Sequence, residues 1–74
     1  MHVLENGIDV ILYEKQADGE LKQIDERRWS ANMLTALDHV NYVTIGGQEY
    51  ETIEGRLNLD LNRLELLVVR MKNA

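Results

Sequence analysis

The residues whose types could do chemistry are few, and their spacing suits little of it. Asp38 and His39, with Trp29 and Ser30 upstream, include the side chains of a nucleophile, base and carboxylate set. Adjacent side chains on a helix point in different directions, so Asp38 cannot orient His39 toward a hydroxyl. His39 reads instead as a surface residue near a helix C-terminus, where partial positive charge is favourable. Asn58-Leu59-Asp60-Leu61-Asn62 sets oxygen side chains at alternate positions, like the first ligands of an EF-hand loop. That loop also needs glycine at its sixth position and glutamate at its twelfth, where this chain has Arg63 and Val69. An Asn/Asp-rich hairpin loop is the better reading. His2 and His39, with no cysteine in the chain, are too few for a tetrahedral metal site. The sequence therefore assigns no catalytic, cofactor or metal residues, and it reads as a non-enzyme.

Gly46-Gly47 is the nearest approach to a phosphate loop. A phosphate cradle of the Walker type needs a lysine and a hydroxyl leading into a helix, and these glycines lead into Gln48-Glu49-Tyr50-Glu51, acidic and β-forming. They reverse a strand. Glu26-Arg27-Arg28-Trp29 is the one basic and aromatic cluster and the one place to grip a nucleic acid. Asp9 across the hairpin and Asp25 and Glu26 beside it neutralise the cluster, which argues against that use. The acidic residues Glu49, Glu51 and Glu54, with Asp18, Glu20, Asp25 and Glu26 elsewhere, support an alternative in which the protein is an acidic decoy of a nucleic-acid-binding protein.

The elements that must position these residues fit a single domain over residues 1–74. A chain of 74 residues buries only roughly 60% of its unfolded surface, and with no disulfide available a partner subunit is a reasonable source of further buried area. Thirteen acidic against eight basic residues give a formal charge of −5, which weakens any case for phosphate-backbone binding. The longest apolar run, Leu66-Leu67-Val68-Val69, is far short of the roughly 20 residues that span a bilayer. No membrane partner is expected, and the location expected is cytoplasmic.

Ile8, Val10 and Leu12 alternate with Asp9, Ile11 and Tyr13 in a first strand. A three-residue loop, Ala17-Asp18-Gly19, sets Leu12 against Ile24, Glu14 against Lys22 and Asp9 against Arg27. The two-residue alternative would oppose Lys15 and Lys22. The second strand, about Glu20 to Arg28, is polar enough for a solvated edge. Ser30 then caps a short helix with Met33, Ala36, Leu37 and Val40 as its apolar stripe, Trp29 anchoring its start and Asn41 ending it. Tyr42 to Ile45 and Gln48 to about Leu59 form a hairpin around Gly46-Gly47 that opposes Val43 and Tyr50. Tyr50 and the later Ile53, Leu57 and Leu59 fall on opposite faces by period two, so a bulge near Thr52 or a bend at Gly55 must flip the strand. The last strand, Leu64 to Met71, is apolar on both faces and must be central or lie at an interface.

This order predicts a mainly β (α+β) fold: a small five-stranded antiparallel SH3-like or OB-like barrel with one short helix after the second strand. A flat antiparallel sheet with the helix across one face is the alternative. Residues 42–71 resemble small phage head-tail adaptor and related SH3-like barrel domains through Val43, Ile45, Gly47, Tyr50, Leu64, Leu66 and Val68. The helix between hairpins in the N-terminal half departs from that pattern. The resemblance implies a binding or structural module of phage or mobile-element origin, with no active site. Together these readings predict a non-enzymatic interaction module that meets a protein partner, or a second copy of itself as a homodimer. The interface expected is Leu64, Leu66, Leu67, Val69 and Met71.

Overall fold

Period-two alternation of apolar residues makes five strands, and a capped seven-residue segment makes the helix. The computed structural model describes residues 7–72. In chain order they form β1 (Ile8–Lys15), β2 (Leu21–Trp29), α1 (Ala31–Leu37), β3 (Tyr42–Ile45), β4 (Gln48–Asn58) and β5 (Arg63–Arg70). The strands form one sheet in the order β2-β1-β5-β4-β3, curled into a half-barrel. Strand β5 is central, as its two-sided apolar sequence requires. The sheet is mixed, which corrects the expected all-antiparallel arrangement: β5 runs parallel to β1, with Val10 beside Leu64 and Leu12 beside Leu66. The crossover from β1 to β5 passes through all the intervening elements, so the chain returns to its centre last.

Local turn chemistry sets the first two hairpins. Gly19 N–H donates to the Gln16 carbonyl at 2.9 Å, and Gln16 N–H to the Glu20 carbonyl at 2.8 Å. The loop is therefore Ala17-Asp18-Gly19, with Gly19 at φ 90°, and it opposes Glu14 and Lys22 as expected. Gly46 and Gly47, at φ 58° and 81°, form the tight turn that opposes Val43 and Tyr50.

The β1–β2 and β4–β5 hairpins each carry one unopposed residue. In β4, Thr52 faces Val68 and Glu54 faces Leu67, so Ile53 is extra and the strand changes phase there. The bulge, rather than a bend at Gly55, performs the flip. In β2, Leu12 faces Asp25 and Tyr13 faces Gln23, leaving Ile24 unopposed. That bulge corrects the expected pairs: Asp9 lies opposite Arg28 instead of Arg27 and bonds it at 3.1 Å.

One face of the sheet, here the core face, gathers Val10, Leu12, Trp29, Tyr50, Leu66 and Val68, with Ile24, Leu34, Leu37 and Val43 packed against them. Burial of each aliphatic side chain contributes about 1.5–3 kcal/mol. Ser30 caps α1, its hydroxyl accepting from Met33 N–H at 3.2 Å. The inward stripe is Leu34 and Leu37, while Met33 and Val40 are 44% and 46% exposed. The expected stripe of Met33, Ala36, Leu37 and Val40 is thus corrected. The helix stops at Leu37, before Val40 can continue a stripe, and Asp38 rather than Asn41 caps it. Among the described residues no helix is long and apolar enough to cross a membrane.

Gly7 enters β1 at φ 77°, and a Cβ there would lie 1.9 Å from the Trp29 carbonyl oxygen. Gly19 shares the positive φ but has nothing within 4 Å of that position. Gly7→Ala should therefore destabilise by more than about 2 kcal/mol, against about 1 kcal/mol for Gly19→Ala. Urea unfolding of the two variants measures the difference, and equal midpoints would contradict the close approach of Gly7 to Trp29.

Candidate functional site

Because β4 changes phase at Ile53, the outer face of the sheet collects residues that strict alternation would separate. Glu49 and Glu51 precede the bulge on that face, and Glu54 follows it opposite Leu67. The result is a row of carboxylates along β4 beside Leu67 and Val69 of β5, both half-buried. Successive same-face residues stand about 6.8 Å apart along an extended strand. Among the described residues the carboxylates of Glu49, Glu51 and Glu54 make no ion pair. A cleft of about 300 Å³ lies at the end of this row, walled by Tyr13, Leu21, Glu54, Arg56 and Leu67.

The other end of the same face holds a closed polar network. Glu65, buried at 8% exposure, accepts from Arg63 Nε at 2.8 Å and Asn58 Nδ2 at 3.1 Å, and pairs with Arg56 Nε at 3.1 Å. Arg63 Nη2 reaches the Tyr13 hydroxyl at 3.2 Å. Hydrogen bonds from Arg63 and Asn58 hold the Glu65 carboxyl below its ordinary value, against the opposing effect of desolvation. The Glu65 bond likewise raises the Arg63 guanidinium. A carboxylate held ionised by three donors is a poor proton donor, and its contacts are those of a brace across β4 and β5. On the core face Glu14, also buried, pairs with Arg70 Nε at 3.5 Å, and Arg70 lies 6.0 Å from the centre of the Tyr50 ring.

The structure divides the interface set expected from sequence. Leu66 is in the core and Leu64 is half-buried against it, whereas Leu67 and Val69 face outward. Met71 is half-buried just past β5, its carbonyl accepting from Gln48 Nε2 at 3.0 Å. Two faces of one strand serve two purposes, so only Leu67 and Val69 of the strand itself remain on the surface side.

The other residues singled out above are occupied or dispersed. Ser30 is a helix cap, Asp38 ends the helix and His39 is exposed. Asn58 is tied to Leu61 N–H at 3.2 Å and to Glu65, as a hairpin loop requires. Arg27 binds Asp25 through two bonds of 2.7 and 2.8 Å, while Arg28 bonds Asp9 on the opposite face. The basic cluster is therefore split across the sheet. No group of three or more metal-ligating side chains occurs among the described residues, and His2 lies outside them. The Glu65 network had one local signal in the sequence, the same-face pair Arg63 and Glu65. Its cross-strand members needed the register.

Comparison with protein-family models, with curated proteins and with solved structures gave no match.

Glu65 links stability to pH in a defined direction. Its folded pKa lies below the unfolded value, so its contribution is present above the ordinary carboxylate range and is lost as pH falls through the folded pKa. Glu65→Gln should melt lower than the natural protein at neutral pH, with the gap narrowing below about pH 4. Thermal melts across this range test it, and a gap that stays constant would show that the carboxylate charge is not what braces the strands.

Proposed function

We propose that this protein is a small non-enzymatic interaction module of the cytoplasm that docks a protein partner through the outer face of β4 and β5. The observation that carries this reading is the row of Glu49, Glu51 and Glu54, without ion pairs among the described residues, beside the half-buried Leu67 and Val69. Unpaired carboxylates next to apolar surface suit a partner segment that is basic and apolar at alternate positions. A homodimer through the same face would bring two acidic rows together, so a basic partner is preferred to a second copy. The half-barrel is compatible with kinship to SH3-like or OB-like barrels of phage or mobile-element origin.

A second reading follows from the same row. A partner with a basic surface can itself be a nucleic-acid-binding protein, in which case the module acts as its decoy. The two readings differ in what the partner does when free.

Affinity capture from the host, run at low and high salt with the natural protein and two variants, tests the proposal. A specific partner should be lost with Leu67→Glu and with Glu51→Gln combined with Glu54→Gln, and the acidic contribution should weaken as salt rises. Release of nucleic-acid-binding activity from that partner would favour the decoy. A partner retained by both variants would rule out this face, and sedimentation showing a dimer broken by Leu67→Glu would replace the partner with a second copy.

A further inference from the structure

The loop between β4 and β5 is more apolar than its geometry needs. Asn58 Oδ1 accepts from Leu61 N–H at 3.2 Å, and Asn62 closes the loop at φ 54°. These two asparagines set the turn, so it does not require leucine at 59 or 61. Yet Leu57, Leu59 and Leu61 are 58%, 73% and 56% exposed. A groove of about 460 Å³ runs beside them, walled by the three leucines and also by Gly7, Ile8 and Arg28. Contiguous exposed apolar side chains with a polar rim mark an interaction surface. This one shares no residue with the docking face proposed on β4 and β5.

The charges of the patch select the occupant. Asp60 lies between Leu59 and Leu61 and makes no ion pair among the described residues. A carboxylate among the leucines resists entry into hydrocarbon, which argues against a lipid surface. A second copy of the chain suits the patch better. A two-fold contact needs the projecting and the receiving surface side by side, because each copy gives and receives the same contact. Here the loop projects and the groove beside it receives. A cavity of about 150 Å³ holds benzene, so the groove has room for a leucine side chain. Asp60 accompanies the leucines, and Arg28, whose side chain is 57% exposed beside its partner Asp9, stands at the groove. Each copy therefore brings an acid with its projection and a base with its groove. We infer that two copies pair about a two-fold axis through this patch, with Leu59 of each seated in the groove of the other against Ile8, and Asp60 of each beside Arg28 of the other.

Sedimentation of the full-length protein from micromolar to millimolar concentration should show a monomer–dimer equilibrium. Leu59→Asn should keep the far-UV spectrum of the natural protein, since the loop is held by Asn58 and Asn62. It should raise the dimer dissociation constant roughly tenfold or more, because each dimer loses two leucine contacts. Leu67→Glu, on the proposed docking face, should leave that constant unchanged, so the two readings fail separately. In a mixture of isotope-labelled and unlabelled copies, NMR should find Leu59 of one copy against Ile8 of the other. A monomer throughout the range would overturn the inference, and contacts of Leu59 with Val3 or Leu4 in that monomer would assign the groove to the chain's own first residues. A dimer that Leu59→Asn leaves intact, or that Leu67→Glu breaks, would overturn it equally.

Discussion

The single unopposed residue Ile53 governs how this small sheet uses its two sides. A strand alternates with period two, so β4 could not otherwise carry Tyr50 and Leu57 on one face, nor Glu51 and Glu54 together on the other. With Ile53 extra, Tyr50, Thr52, Gly55 and Leu57 lie on the face of Val68, Leu66 and Leu64. Gly55 then fits beneath Leu66, where a Cβ would come within 3.1 Å of Leu66 Cδ2. The same insertion aligns the acidic row next to Leu67 and Val69. Core and proposed docking face are thus two results of one backbone irregularity.

The parallel pairing of β1 with β5 is the second constraint. It places both strands in the interior of the sheet, so Ile11 and Glu65, neighbours on the outer face, are nearly as buried as residues of the core. A buried carboxylate demands partners, and Arg56, Asn58 and Arg63 supply them from β4 and β5. Leaving β2 and β3 as the edges exposes the polar strand on one side and a four-residue strand on the other. Short or polar edges resist indiscriminate pairing.

How much of this was legible follows from how local each signal is. The loops at Ala17-Asp18-Gly19 and Gly46-Gly47 were readable because turn geometry is written in adjacent residues. The bulge in β4 was readable as a conflict of phase between Tyr50 and the leucines after it. Its counterpart at Ile24 was not, because a polar strand has no apolar phase to violate. The helix face was misplaced since seven residues are too few to define a stripe, and the parallel β1 and β5 pair has no local signature at all. Glu49, Glu51 and Glu54 were legible as an acidic set, but the face they share with Leu67 and Val69 follows only from the position of the bulge.

Cross-strand proton contacts between β4 and β5, measured by NMR in the natural protein, test the phase change most directly. The account predicts contacts of Thr52 with Val68 and of Glu54 with Leu67, with no residue of β5 directly opposite Ile53. Contacts of Ile53 with Leu67 and of Glu54 with Leu66 would show a regular strand, and would separate both the core and the acidic row from their proposed origin.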